Sequence, residues 1–215
     1  MSITPRKRLS GQERRAAILD SALSVFADRG YHASSIDDIA REAGISKALI
    51  YEHFSSKQEL YAELIQHHAD ELFERIAAAI ERAGRAGAAR LTVGVGAFYE
   101  FVEDHRVAWR MLFREVTDAD VAAVLDRILA QVTALVAALI AEDPGARAQG
   151  DDETTREQAI QMLAQMVVGS VQSLANWWAD HQEIPRERIV EITMDYAWLG
   201  LDRLSRGERW RPPGR

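Results

Sequence analysis

Residues 35–57 read Ser-Ile-Asp-Asp-Ile-Ala-Arg-Glu-Ala-Gly-Ile-Ser-Lys-Ala-Leu-Ile-Tyr-Glu-His-Phe-Ser-Ser-Lys. Their spacing predicts a short helix, a tight turn, a second short helix and the start of a third. Ser35 stands where an N-cap belongs, with Asp38 three residues on as its reciprocal partner and Asp37 beside the positive helix end. Ile39, Ala40 and Ala43 share an inward stripe. Ala40 is small where two helices must cross, and Gly44 falls where the turn needs a positive φ. Ile45 plugs the turn, Ser46 caps the next helix, and Ile50 and Phe54 face inward. Lys47, Ala48, Leu49, Tyr51 and His53 are left on the outer face. That is the arrangement of a helix that enters a major groove with its N-terminal residues towards base edges.

Outward from this stretch, the charge is unevenly placed. The 215 residues carry a net charge of −7, which is unexpected for a DNA binder. Residues 1–60 are nevertheless close to neutral, with nine Lys or Arg against eight Asp or Glu, while residues 61–215 hold seventeen against twenty-five. Basic side chains on the contacting face suffice to attract phosphate, and an acidic body weakens indiscriminate binding. This argues for a sequence reader over a DNA packer. With 47% hydrophobic residues the chain can bury a sizeable core, and with no cysteine it has no disulfide, thiolate metal site or cysteine nucleophile. Arg6, Lys7 and Arg8 are followed by no apolar segment, so no signal peptide is expected and a cytoplasmic location is. Residues 1–10 read as a flexible basic arm able to reach phosphates or the minor groove, or simply solvated.

The run from Gly44 to Leu60, Gly-Ile-Ser-Lys-Ala-Leu-Ile-Tyr-Glu-His-Phe-Ser-Ser-Lys-Gln-Glu-Leu, resembles the turn, recognition helix and next-helix start of the tetracycline-repressor (TetR) family. Arg14 to Tyr31 looks like that family's first helix and its Gly-aromatic exit, so the motif-level resemblance covers residues 10–65. A helical hairpin without a DNA role would leave the caps, the glycine turn and the Tyr-x-His-Phe run as coincidences. The resemblance implies an all-α protein with an N-terminal three-helix helix-turn-helix domain over residues 1–55. It also implies a C-terminal helical ligand-binding and dimerisation domain over 56–207, leaving 208–215 as a tail. It implies double-stranded DNA with a palindromic operator as partner, a homodimer and a small-molecule effector, with no membrane and no cofactor. The alternative is a DNA-binding dimer of the same fold with no effector, regulated by a protein partner or by abundance.

Carried over position by position, Lys47 would meet a guanine edge or a phosphate, and Ala48 and Leu49 thymine methyls. Tyr51 and His53 would anchor the backbone, Lys57 would add a phosphate contact, and Ser35 would donate to phosphate as it caps. Leu49 departs from the polar residue often found there. Lys57 is a cation in the first turn of a helix opened by a Ser56–Glu59 capping box, against the dipole, which makes sense beside a phosphate.

Periodicity predicts a first helix from Gln12 to Arg29 and a long one from Ser56 to the glycine- and alanine-rich stretch at 83–89. Five further helices follow: to Asp104; Val107 to Val116; Asp118 to Ala141; Thr154 or Thr155 to His181; and a last one opened by Pro185. Residues 142–153 read as a loop. Residues 158–179 contain no charged side chain. Four glutamines and Asn176 make a membrane span costly there, leaving a buried core helix or one covered by a partner as well as by the core. Gly169, Ser170 and Ser173 would allow close approach, and the resemblance implies that the last two helices pair with their mates. Leu163, Val167, Ser170, Leu174 and Trp178, with Ile192 and Tyr196, are the expected interface.

The resemblance further implies an effector pocket in the body. Phe98, Phe101, Trp109 and Phe113 are candidate walls, with His68 or Tyr61 as polar handles, or else plain core. Aromatic walls with few charges favour an apolar or amphipathic ligand. No nucleophile elbow, phosphate loop or metalloprotease pair is present, and Gly94-Val-Gly96 is too short for a dinucleotide fingerprint, so no enzyme is expected. His67 and Glu71 have the spacing of a metal pair but read as solvated or pocket-lining, and His105 as a helix cap. No metal is expected.

Overall fold

Four serine caps set the helix starts at the N-terminal end. The computed structural model describes residues 10–84, 87–111, 119–142, 153–206 and 208. Ser10 opens α1 (Gly11–Arg29) through a reciprocal capping box with Glu13, and Ser35 opens α2 (Ile36–Ala43) through one with Asp38. Ser46 caps α3 (Lys47–Tyr51), and Ser56 caps α4 (Lys57–Arg82). Between α2 and α3, Gly44 adopts φ 64 and ψ 32, the left-handed geometry that only a residue without Cβ enters cheaply. The Ser56 cap differs in one detail from the expected box. Ser56 accepts from the Glu59 amide, but the Glu59 carboxylate reaches back to the amide and hydroxyl of Ser55.

The body follows as α5 (Gly87–Asp104), α6 (Arg106–Trp109), α7 (Ala119–Glu142), α8 (Glu153–Trp178) and α9 (Arg186–Ser205). Among the described residues there are nine helices and no strand. Residues 1–9 of the expected N-terminal arm, Phe113, the Asp118 cap, residues 143–152 of the expected loop and the tail beyond residue 208 lie outside the described residues.

One core forms where Ile18, Leu19, Ala22 and Phe26 of α1 meet Ile39, Ile50, Phe54 and the first half of α4, and it continues to Ala108, Val124 and Ile128. A second core lies deeper in the body, where α5, through Tyr99, Phe101 and Val102, packs against α8 and α9. Helix α4 belongs to both. Residues 122–142 of α7 are long and apolar enough to cross a membrane by length and composition alone. Here that helix packs on α4 and α8, burying Val124, Ile128, Thr133 and Ala137.

Candidate functional site

The outer face of α3 carries the expected side chains. Lys47 and Ala48 are exposed, Leu49 is half-buried, and Tyr51 keeps 48% of its surface. Ile50 and Phe54, at 0% and 1%, fix the helix to the core. Lys47 Nζ pairs with Asp37 Oδ2 at 2.7 Å, an exposed contact that raises the lysine pKa and ties the recognition helix to the start of α2. Such an exposed pair contributes little to stability.

Two expected phosphate contacts point elsewhere. Lys57 turns inward, donating to the carbonyls of Tyr31 (2.8 Å) and Ser34 (2.9 Å) with its ammonium 4.3 Å from the Tyr31 ring centroid. The cation at this helix start is balanced by the carbonyls at the α1–α2 turn, with no phosphate required. Ser35 gives its hydroxyl proton to Asp38 Oδ2 at 2.6 Å, so that proton is held within the cap. Asp38 also accepts from Arg41 and Arg29, both at 2.9 Å, and the Ser35 and Arg41 hydrogen bonds hold its pKa down at about 2.

One residue that motif reading missed ties the face together. Arg15 of α1 pairs with Glu63 of α4, lies 4.3 Å from the Phe54 ring centroid, and donates to the His53 carbonyl at 2.5 Å. It therefore joins the end of the recognition helix to the linking helix. His53, expected as a DNA anchor, has a half-buried side chain beside this clamp. The only sequence signal was a charged pair 48 residues apart, which helical periodicity cannot connect.

In the body, α4, α5, α7 and α8 enclose a cavity of about 130 Å³. Phe98 and Trp109 line it, as expected, together with Leu72, Ile76 and Ile80 of α4 and Leu129, Val132 and Val136 of α7. Among the described residues, Arg90, ion-paired to Glu142, is the charged one in its walls, and Gln172 is the other polar one. Phe101 and His68 are not among its walls. Phe101 is fully buried against His105, with ring centroids 4.6 Å apart. His68 is buried on the neighbouring face of α4, where burial, reinforced by His105 and His67, pulls its pKa down to about 4. Tyr61 is no handle either, since it sits in the N-terminal core and its hydroxyl donates to the Met111 carbonyl at 2.9 Å.

The uncharged helix α8 splits its faces differently from expectation. Val167 and Trp178 lie in the protomer's own core, and Trp178 Nε1 donates to the Ile184 carbonyl at 2.8 Å. Asn176 also turns inward, accepting from Trp109 Nε1 at 3.1 Å. Leu163, Ser170 and Leu174 are half-buried. Met162, Met166 and Trp177 are exposed on α8, as are Ile192, Tyr196 and Leu199 on α9. Tyr99, which sequence reading overlooked, joins α5 to α9 through a 3.0 Å hydrogen bond to Thr193 Oγ1, and burial pushes its phenol pKa up to about 12.

Comparison with known proteins follows the same division of the chain. Residues 18–64 match the family described as bacterial regulatory proteins, tetR family, and residues 88–200 match the tetracyclin repressor-like C-terminal domain. The HTH-type transcriptional activator FasR of Mycolicibacterium smegmatis is 37% identical over 196 residues, covering 90% of this chain and 85% of FasR. A TetR-like transcriptional regulator from Rhodococcus sp. RHA1 superposes with a TM-score of 0.72 at 29% identity, covering 91% of this chain and 99% of that one. FadR from Bacillus subtilis, solved in complex with stearoyl-CoA, shares the fold with a TM-score of 0.68 at 18% identity, covering 90% and 99%.

Proposed function

This chain belongs to the TetR family of bacterial transcriptional regulators, and from that premise we propose a cytoplasmic homodimeric repressor that leaves a palindromic operator when an amphipathic ligand fills its body cavity. Residues 1–55 act as the reading head and 56–207 as the effector and dimerisation body. Lys47 and Ala48 reach base edges, with Leu49 making a smaller apolar contact, while Tyr51 and His53 meet the backbone. The exposed apolar side chains Met162, Met166, Trp177, Ile192, Tyr196 and Leu199 meet a second copy. Two α3 helices are thereby held about one turn of DNA apart.

The observation that carries this reading is the sharing of α4. Its first turns are fastened to the head by Lys57, by Glu63 through Arg15, and by Tyr61, whose ring centroid lies 4.5 Å from that of Tyr31. Its later turns, at Leu72, Ile76 and Ile80, wall the cavity. A ligand that favours a wider cavity favours a different tilt of α4, and by linkage a different head spacing. The lining selects an apolar chain or ring system, and Arg90, once parted from Glu142, offers a counter-charge to an anionic end. The same fold in FadR takes stearoyl-CoA.

The matched relative FasR is named an activator. Activation is therefore the second reading, and it shares every step except the position of the operator relative to the promoter. The test is thermal denaturation across fatty acids, their acyl thioesters and matched alcohols. A bound effector raises the melting temperature by mass action, and Arg90→Gln removes the preference for acid over alcohol. Tyr196→Asp should yield monomers in sedimentation. No stabilisation by any lipophile, in a wild-type protein that is dimeric, removes the effector.

A further inference from the structure

On the face of α4 beside the apolar cavity, three donors converge that neither the DNA face nor the cavity uses. His68 and Glu71, three residues apart, share one face of the helix. His105 stands at the corner between α5 and α6, and its side chain makes no capping hydrogen bond there. Its ring is turned against α4, 5.3 Å from that of His68 and packed on Phe101. One ligand atom from each of His68, Glu71 and His105 lies within 4.8 Å of the others. His105 Nε2 is 3.0 Å from Glu71 Oε1, and His68 Nδ1 is 4.0 Å from Glu71 Oε2. His68 is only 6% exposed, yet its Nδ1 has no hydrogen-bond partner among the described residues. A buried polar nitrogen left this way is costly and needs a reason.

We propose that His68, Glu71 and His105 bind a divalent transition-metal ion of the zinc, cobalt or nickel type. Two imidazole nitrogens and one carboxylate suit these borderline ions and exclude magnesium and calcium, which take oxygen ligands. Ligand bonds of about 2.0–2.2 Å place tetrahedral donors about 3.3 Å apart, so the cluster closes by side-chain rotation alone, with water as the fourth ligand. The ion gives His68 Nδ1 the partner it lacks. Its competitor is Arg75, which donates to Glu71 Oε1 at 2.7 Å and lies 3.2 Å from His105 Nε2. Asp104 holds the same guanidinium at 2.7 Å and retains it when the metal takes Glu71. A bound ion would cross-link α4 to the α5–α6 corner.

The experiment is a titration of the metal-stripped full-length protein with Co²⁺, read by visible ligand-field absorption, followed by displacement with Zn²⁺. One Co²⁺ per protomer is expected. Glu71→Gln and His105→Ala should each weaken binding at least about tenfold while circular dichroism stays helical. Arg75→Gln, which removes the competing cation and no ligand, should tighten it. Absence of the absorption band, or equal affinity in the wild-type, Glu71→Gln and His105→Ala proteins, overturns the site. Both readouts are independent of DNA or effector binding.

Discussion

In the head, Ile39, Ile50 and Phe54 interlock beneath helices whose starts are set by serine caps. In the body, Tyr99, Phe101 and Trp178 are buried as completely, yet the surrounding helices leave about 130 Å³ open. On the function proposed above, the contrast separates two tasks. A reader must present a fixed surface, so its side chains are locked by short-range hydrogen bonds and close packing. A sensor must have two shapes of similar free energy, and an unfilled apolar volume between helices is the means of keeping them close.

The largest effect that would test this contrast is in the head. Phe54→Ala should cost about 3–5 kcal/mol in urea denaturation, because the close-packed site cannot collapse around the loss. A small change would mean that the head is as plastic as the body. In the body, Val132→Phe fills space that is already open, so stability should change little, while the stabilisation by an effector at a hundred times its Kd, about 2.7 kcal/mol, disappears.

Lys57→Ala should cost about 1–2 kcal/mol by removing its hydrogen bonds to the Tyr31 and Ser34 carbonyls, and should leave the salt slope of DNA binding unchanged. A flatter slope would restore Lys57 as a phosphate contact. Lys47→Ala, by contrast, should weaken the operator more than random duplex.

A further effect concerns pH in the metal-free protein. His68 has a folded pKa of about 4 against an unfolded value of about 6.5, so the unfolded chain takes up its proton first as pH falls. Its contribution is full above about 6.5 and is lost as pH drops towards 4. His67, Glu71, Arg75 and His105 are the titratable and charged side chains around it and are retained in the test. His68→Gln should flatten the stability profile across that window, measured by urea denaturation at successive pH values.

The legibility of the sequence follows the same division. Ser35 with Asp38, Gly44 at φ 64, and the inward Ile50 and Phe54 were readable because each depends on residues within four positions. The family motif marked the outer face of α3 for the same reason. The inward hydrogen bonds of Lys57 were not readable because its carbonyl partners lie 23 and 26 residues upstream, on a turn that returns only in three dimensions. Arg15 with Glu63 and His68 with His105 are longer-range still. The helix expected from Thr154 or Thr155 to His181 is present as α8. Which face it buries depends on where α7 and α5 lie, and Val167 and Trp178 proved to be core while Met162 and Met166 are exposed. Tyr99 gave no signal, since a tyrosine on an apolar helix face reads as any aromatic until Thr193 is opposite it.

The most direct test of the coupling between head and body is a fluorescence-anisotropy titration of a selected palindromic operator with the full-length protein, with and without a saturating long-chain acyl ligand. Two protomers should bind each palindrome, and the ligand should weaken that binding by about 5- to 150-fold while binding to random duplex stays the same. Superimposable curves, in a protein that calorimetry shows to have bound the ligand, would contradict the account.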